Sequence, residues 1–219
     1  MPMIPAETTQ LVVVQTADWS ATAADLQRWV REPGGAWRAD GAPTPAVVGR
    51  SGLGWGLGLH PAGLGGPVKA EGDGRAPAGL FRLGPAAGKA AAAPSGARLP
   101  YAPTGDRLCV DDPSSIHYNR IVPGTTPKDW TSAEVMSRRD WLYDWLVVAD
   151  HNAERRPGAG SCIFVHVWRA PDKPTVGCTA ASPTVVESLV GWLDPAAAPL
   201  LVQLPVGTYR EVATDWGLP

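Results

Sequence analysis

Punctuation by glycine and proline constrains this chain more than any other feature. Twenty-five glycines and 23 prolines stand among 219 residues, so a position hostile to helix interiors recurs about every five residues, and an interior proline alone costs about 3 kcal/mol. Long-helix architectures are therefore disfavoured. Ten tryptophans supply enough apolar surface to bury a core, which argues against a disordered chain. The expectation is a loop-rich fold, mainly β with a few short helices, of a size that suits one large domain.

Charge and hydropathy remove several function classes. Nineteen basic against 21 acidic residues give a formal charge of −2 with no basic block, so the footprint of a nucleic-acid binder is missing. The longest apolar runs, such as residues 11–14 and 90–94, fall far short of the roughly 20 residues that span a bilayer, and no transmembrane segment is expected. Residues 1–10 have neither a positive start nor an apolar stretch of secretory type. The four histidines show no i, i+4 pair, and the three cysteines no zinc spacing, so a metal frame is not expected.

Along the chain, residues 11–14, 45–48, 80–83 and 200–204 read as apolar strands. Residues 26–31 run into Pro33-Gly34-Gly35 and resume at 36–38, a hairpin, although Ser20 or Thr22 capping a helix through Val30 fits the same residues. The alternate glycines of 52–58 do not match a phosphate loop, and 49–79 reads as Gly/Pro/Ala-rich loops around a β core. Residues 86–97 read as an exposed low-complexity loop. Thr131-Ser-Ala-Glu134 has the form of a capping box and predicts a helix start. Residues 140–149 read as a buried strand or helix end, and 161–168 as a central strand. Ser182-Pro183 then supplies an N-cap and N1 proline for a helix striped by Val185, Val186, Leu189, Val190 and Leu193.

One constellation carries chemistry. His166 lies on the 163–168 run, and Gly177-Cys178-Thr179 follows after a proline-containing loop. A strand, a turn and a return can bring thiol and imidazole together, and an adjacent imidazole promotes the thiolate, the form that attacks acyl carbon. Gly177 leaves room beside the sulfur, and backbone amides around Cys178 can receive an oxyanion. In the cluster His117, Tyr118, Asn119 and Arg120, strand alternation sends Tyr118 with Arg120, or His117 with Asn119, to one side of a cleft. Arg120 has the fork that suits a substrate carboxylate; a solvated loop is the alternative. Trp168 and Thr175 flank the site, and Trp168 fits plain core equally well.

Residues 162–168, Cys-Ile-Phe-Val-His-Val-Trp, followed by 174–180, Pro-Thr-Val-Gly-Cys-Thr-Ala, resemble the catalytic segment of the L,D-transpeptidases, the YkuD-like cysteine enzymes that cross-link bacterial peptidoglycan. His166 matches the upstream base, and Thr175, Gly177 and Cys178 match the [Ser/Thr]-His-Gly-Cys motif. Residues 74–81 resemble the family's Thr-Pro-x-Gly-x-Phe segment, with Ala76 in the threonine place. The likeness covers about 11–204. It departs at Val176, where the motif has a second histidine, and at Thr179-Ala180, which replace an aliphatic residue and an arginine or asparagine. The His-to-Cys spacing is also shorter. Residues 110–120 and 150–152 look more like a divergent proteobacterial branch.

The resemblance implies a single YkuD-like β-sandwich or barrel at 11–205 with Cys178 just before a helix, a disordered segment at 1–10 and a C-terminal extension at 206–219. It implies Cys178, His166, Gly177 and Thr179 as catalytic, with Tyr118, Asn119, Arg120, His117, Trp168 and Thr175 contacting peptidoglycan stem peptides. No cofactor is implied. Cys178 would attack the L-centre carbonyl of diaminopimelate and hold a thioester that a neighbouring stem amine resolves; water as acceptor would give a carboxypeptidase or endopeptidase. The third member of the triad would be a backbone carbonyl orienting the second ring nitrogen of His166. A peptidoglycan-binding module with a structural Cys178 is the non-enzymatic alternative. The family's location is periplasmic, and the missing leader leaves a cytoplasmic location as the alternative. If the protein is exported, Cys109 and Cys162 can pair in a disulfide; otherwise Cys162 is a buried thiol.

Overall fold

The computed structural model describes residues 3–61 and 65–219. Met1 and Pro2 of the expected N-terminal segment, and residues 62–64 of the glycine-rich stretch, lie outside the described residues. Among the described residues fourteen strands form: β1 (Gln10–Thr16), β2 (Ala23–Val30), β3 (Arg38–Ala39), β4 (Thr44–Val47), β5 (Leu53–Trp55), β6 (Ala76–Gly88), β7 (Tyr101–Pro103), β8 (Leu108–Val110), β9 (Arg120–Val122), β10 (Ala133–Val135), β11 (Trp145–Ala149), β12 (Phe164–Val167), β13 (Thr179–Ala181) and β14 (Leu200–Pro205). The two α-helices are α1 (Pro183–Trp192) and α2 (Val206–Trp216).

Eight strands pair in the order β1-β14-β6-β11-β12-β13-β4-β2, and β2 pairs back to β1, closing a barrel. β3 extends β2, while β5 and β7 pair with β6. A separate antiparallel sheet, β10-β8-β9, stands beside the barrel. The domain is thus mainly β, as the density of glycine and proline predicts. Residues 23–30 settle as strand, their register running from Gln10↔Val30 to Thr16↔Ala24. The hairpin through Pro33-Gly34-Gly35 returns as β3.

Strands β1 and β14 are buried along nearly their whole length, because the barrel interior takes one face and α2 packs over β1 and β14 on the other. Residues 206–219 therefore hold a helix of the domain rather than a separate extension, and Trp216, 2% exposed, belongs to the main core. Residues 3–10, expected to be disordered, are seated against it: the amides of Met3 and Ile4 donate to the carbonyls of Asp215 and Trp216, and Ile4 is buried. Helix α1 begins as its sequence dictates, with Ser182 accepting from the Val185 amide and Pro183 at N1, a cap worth about 1 kcal/mol. Val186, Leu189 and Val190 are buried, and the helix packs on β11, β12 and β13.

Three local expectations fail for identifiable reasons. No helix starts at Thr131: its amide, the donor that Glu134 would accept from in a capping box, goes to Asp112 together with its hydroxyl, Glu134 accepts from Tyr143, and residues 133–135 pair with β8 instead. Residues 86–88 are not loop but the end of β6, paired to both β7 and β11. The central strand is shorter than residues 161–168, because Cys162 has φ +55, and that left-handed conformation costs a side-chain-bearing residue about 1–2 kcal/mol and interrupts an extended run.

Candidate active site

Strand alternation sorts the residues around Cys178 onto two faces. β12 and β13 are parallel neighbours with Val165↔Thr179, His166↔Ala180 and Val167↔Ala181 in register. Val165, Val167 and Ala181 pack in the main core and Thr179 bonds the buried Gln203, so their neighbours in sequence, Phe164, His166, Cys178 and Ala180, point to the other face. Cys178 and His166 thus share one face, two residues apart along the strands, an offset of roughly 7 Å. Both are 6% exposed and line the same open cavity of about 400 Å³. A short strand, β13, separates Cys178 from α1, so the cysteine does not directly precede the helix.

Val167's carbonyl lies 2.8 Å from His166 Nδ1. A carbonyl only accepts, so Nδ1 carries the hydrogen in the neutral ring and Nε2 holds a lone pair, the form of a base. Burial pushes the His166 pKa down to about 4, the Val167 carbonyl opposing the fall and the Arg138 charge adding to it. The ring stands edge-on to Tyr143 at 5.4 Å between centroids.

The thiol of Cys178 rests elsewhere. Sγ donates to the carbonyl of Cys162 at 3.4 Å and accepts from the Phe164 amide at 3.4 Å; among the described residues the imidazole is not one of its hydrogen-bond partners. Burial pushes the thiol pKa up to about 12, Glu134 adding to the rise while the Phe164 amide and Lys69 oppose it. The resting site therefore holds a neutral thiol and a neutral imidazole. Proton transfer between them needs Sγ to leave the Cys162 carbonyl and approach the ring.

The loop before the cysteine is tied internally. Thr175 Oγ1 donates to the Cys178 carbonyl at 2.6 Å and accepts from the Gly177 amide at 3.1 Å, while the Thr175 backbone pairs with Val48 and Arg50. Gly177 is buried, and a Cβ there would meet the Arg75 carbonyl at 3.3 Å. Trp168 also lines the cavity, and its carbonyl accepts from the Trp141 indole.

The remaining expectations divide. Thr179 does not face the cavity: its hydroxyl donates to Gln203 inside the barrel, the opposite face from Cys178, so its side chain has no catalytic position. His117, Tyr118, Asn119 and Arg120 do not line the cavity either. They form a turn and the start of β9 rather than one continuous strand, so alternation does not aim them at a cleft. His117 packs edge-on to Trp130. Tyr118 donates to Glu71 and accepts from the Gly160 amide. Asn119 donates to the carbonyls of His151 and Asn152 and accepts from the Cys162 amide at 2.9 Å. Arg120 is exposed at the start of β9.

These contacts fasten the β8-β9-β10 sheet to the barrel, and the Cys109–Cys162 disulfide completes the attachment. Because Cys109 pairs with Glu134 across β8 and β10, the two share a face, which Asp111 joins by alternation. Glu134 and Asp111 line the cavity. Glu134 accepts from the Tyr143 hydroxyl, and burial raises its pKa above the usual carboxylate range. Asp111 Oδ1 is buried without a partner. Arg50, Lys69, Arg138, Arg169 and Lys173 supply the cavity's positive charges. Sequence reasoning missed Glu134, Asp111, Tyr143 and Lys69, because each reaches the cavity only through the placement of a loop or of the small sheet.

Compared with known proteins, the chain matches no family model and no curated protein. Among the described residues no group of three or more His, Cys, Asp or Glu side chains is arranged to hold a metal ion, and no helix is long and apolar enough to cross a membrane.

Proposed function

We propose that this protein is a periplasmic cysteine acyltransferase of L,D-transpeptidase type, acting on peptidoglycan stem peptides. The observation that carries the reading is the placement of Cys178, the one free cysteine, and His166 on a common face of two neighbouring strands, lining one cavity. The Val167 carbonyl supports it by fixing the His166 tautomer, the orienting role a triad's third member plays.

In this mechanism Cys178 Sγ, turned from the Cys162 carbonyl, gives its proton to His166 Nε2 and attacks the acyl carbon. The tetrahedral intermediate expels the amine, which takes the proton back from His166. A second amine then reverses the sequence on the thioester. A neutral imidazole is the form this route requires at the outset, in agreement with the lowered pKa of His166. Basic side chains at the rim, Arg50, Arg169 and Lys173 among them, suit the carboxylates of a stem peptide in place of Arg120.

The test is incubation with defined disaccharide tetrapeptides and pentapeptides, followed by tandem mass spectrometry. Cross-linked dimers that vanish in Cys178→Ala, with its melting temperature unchanged within a few degrees, are expected. Trimmed monomers alone would assign the hydrolase. The buried, main-chain-bonded resting thiol favours a second reading, a stem-peptide-binding module; binding without turnover, equal in wild type and Cys178→Ala, would establish it.

A further inference from the structure

We propose that Lys69 is a catalytic residue of this site, its ammonium stabilising the negative charge that develops when Cys178 attacks an acyl carbonyl. The inference rests on the acyl-transfer reading above. Lysine normally extends its stem along the surface and leaves its charge in water, yet the Lys69 side chain is only 4% exposed. Its Nζ donates to the Ala70 carbonyl and to Asp73 Oδ1, both at 2.8 Å, which occupies two of three N–H donors. Lys69 lines the cavity beside the nucleophile, and a Cβ built on Gly177 would stand 3.9 Å from Nζ.

The ammonium is held in place from several sides. A Cβ on Gly160 would meet Lys69 Cε at 3.0 Å and Cγ at 3.2 Å, so the stem is packed against bare backbone. Asp73 is itself fixed by the amides of Ala70 and Arg75 at 2.7 and 2.8 Å. Such a preset charge acts on the transition state without reorganising, the arrangement that makes electrostatic stabilisation effective in a dry site. A purely structural ion pair is a poor explanation, because Asp73 keeps 19% of its side chain exposed while the ammonium is withdrawn from water, a desolvation that a surface pair of similar strength would avoid.

The Cys178 thiol proton passes to His166 Nε2, and the S–C bond forms. The carbonyl π pair moves onto oxygen, and Lys69 faces the resulting oxyanion. On collapse the C=O bond reforms, the C–N bond breaks, and the departing amine receives the proton from His166. Lys69 loses no proton in this sequence.

Alkylation of Cys178 by iodoacetamide, followed by intact mass between pH 7 and 10 at low salt, reads how far the Lys69 ammonium stabilises negative charge at the attacking sulfur, the first point at which that charge develops. Lys69→Met is expected to slow it about tenfold or more at fixed pH. Asp73→Asn, which keeps the ammonium and removes its counter-charge, is expected to accelerate it several-fold. A merely structural pair would make both variants change in the same direction with loss of melting temperature. Wild-type rates in a folded Lys69→Met, or no acceleration in Asp73→Asn, would overturn the proposal, and Asp73→Asn decides alone if Lys69→Met does not fold. Failure to turn over muropeptides leaves these rates unaffected, so the two readings fail separately.

Discussion

Removing the Cys109–Cys162 bridge tests how far the small sheet depends on covalent attachment. The bridge joins positions 53 residues apart, and in the chain-entropy treatment a closed loop of that length restricts the unfolded state by about 4 kcal/mol. The native side changes little, because Asn119 still holds the Cys162 amide and the carbonyls of His151 and Asn152. The Cys109→Ser/Cys162→Ser variant is therefore expected to melt about 8–16 °C below the oxidised wild type, at the roughly 2–4 °C per kcal/mol of a domain this size. The assay is thermal denaturation followed by circular dichroism, with Cys178 blocked after unfolding to confirm that the bridge was intact. A decrease below about 3 °C would refute the reasoning, since it would mean that the unfolded chain keeps the two cysteines close without the bond.

Two further outcomes follow from the buried ionisable groups. His166 and His151 have pKa values lowered to about 4 by burial, while unfolded imidazoles titrate near 6.5. These two groups let the unfolded chain bind up to two more protons, and stability should fall as pH drops from about 6.5 to 4, with about 2.7 kcal/mol per pH unit as the largest slope they contribute. The Cys178 thiol, raised to about 12, makes the opposite limb, with stability lost as pH rises above about 9; urea denaturation across pH 4–10 should show the plateau between, and a flat profile from 4 to 6.5 would contradict it. Glu134→Gln removes the nearest source of negative potential while retaining an acceptor for Tyr143, and Cys178 should alkylate several-fold faster at pH 8; an unchanged rate would mean that Glu134 is screened from the sulfur.

The sequence was most informative where local pattern and long-range structure agree. Ser182-Pro183 and the apolar stripe after it describe α1 almost to the residue, and residues 200–204 are as buried as their composition implies. Cys178 and His166 meet in one cavity because the chain between them makes a strand, a loop and a parallel return, a path short enough to infer from spacing. Thr131 misled because a capping box needs its amide and Glu134 to find each other, and here Asp112 takes the amide while Tyr143 takes the carboxylate. Thr179 misled because adjacency to Cys178 in sequence is opposition in a strand. The cavity's far wall was illegible: Glu134 and Asp111 arrive on a sheet whose position depends on Cys109, Tyr118 and Asn119 reaching residues 32 to 53 positions away in the chain.

The pairing of β12 with β13 also has a consequence for mutations distant from the cavity. Sliding either strand by a single residue would invert its side chains, carrying the sulfur into the hydrocarbon interior and bringing the Thr179 hydroxyl out in its stead. Gln203 ties that threonine to the Pro77 carbonyl across the barrel lumen, so a buried glutamine guards the alignment of the sulfur and the imidazole. A changed rate of Cys178 alkylation after substitution of Gln203, in a protein that still folds, would mark a slipped strand.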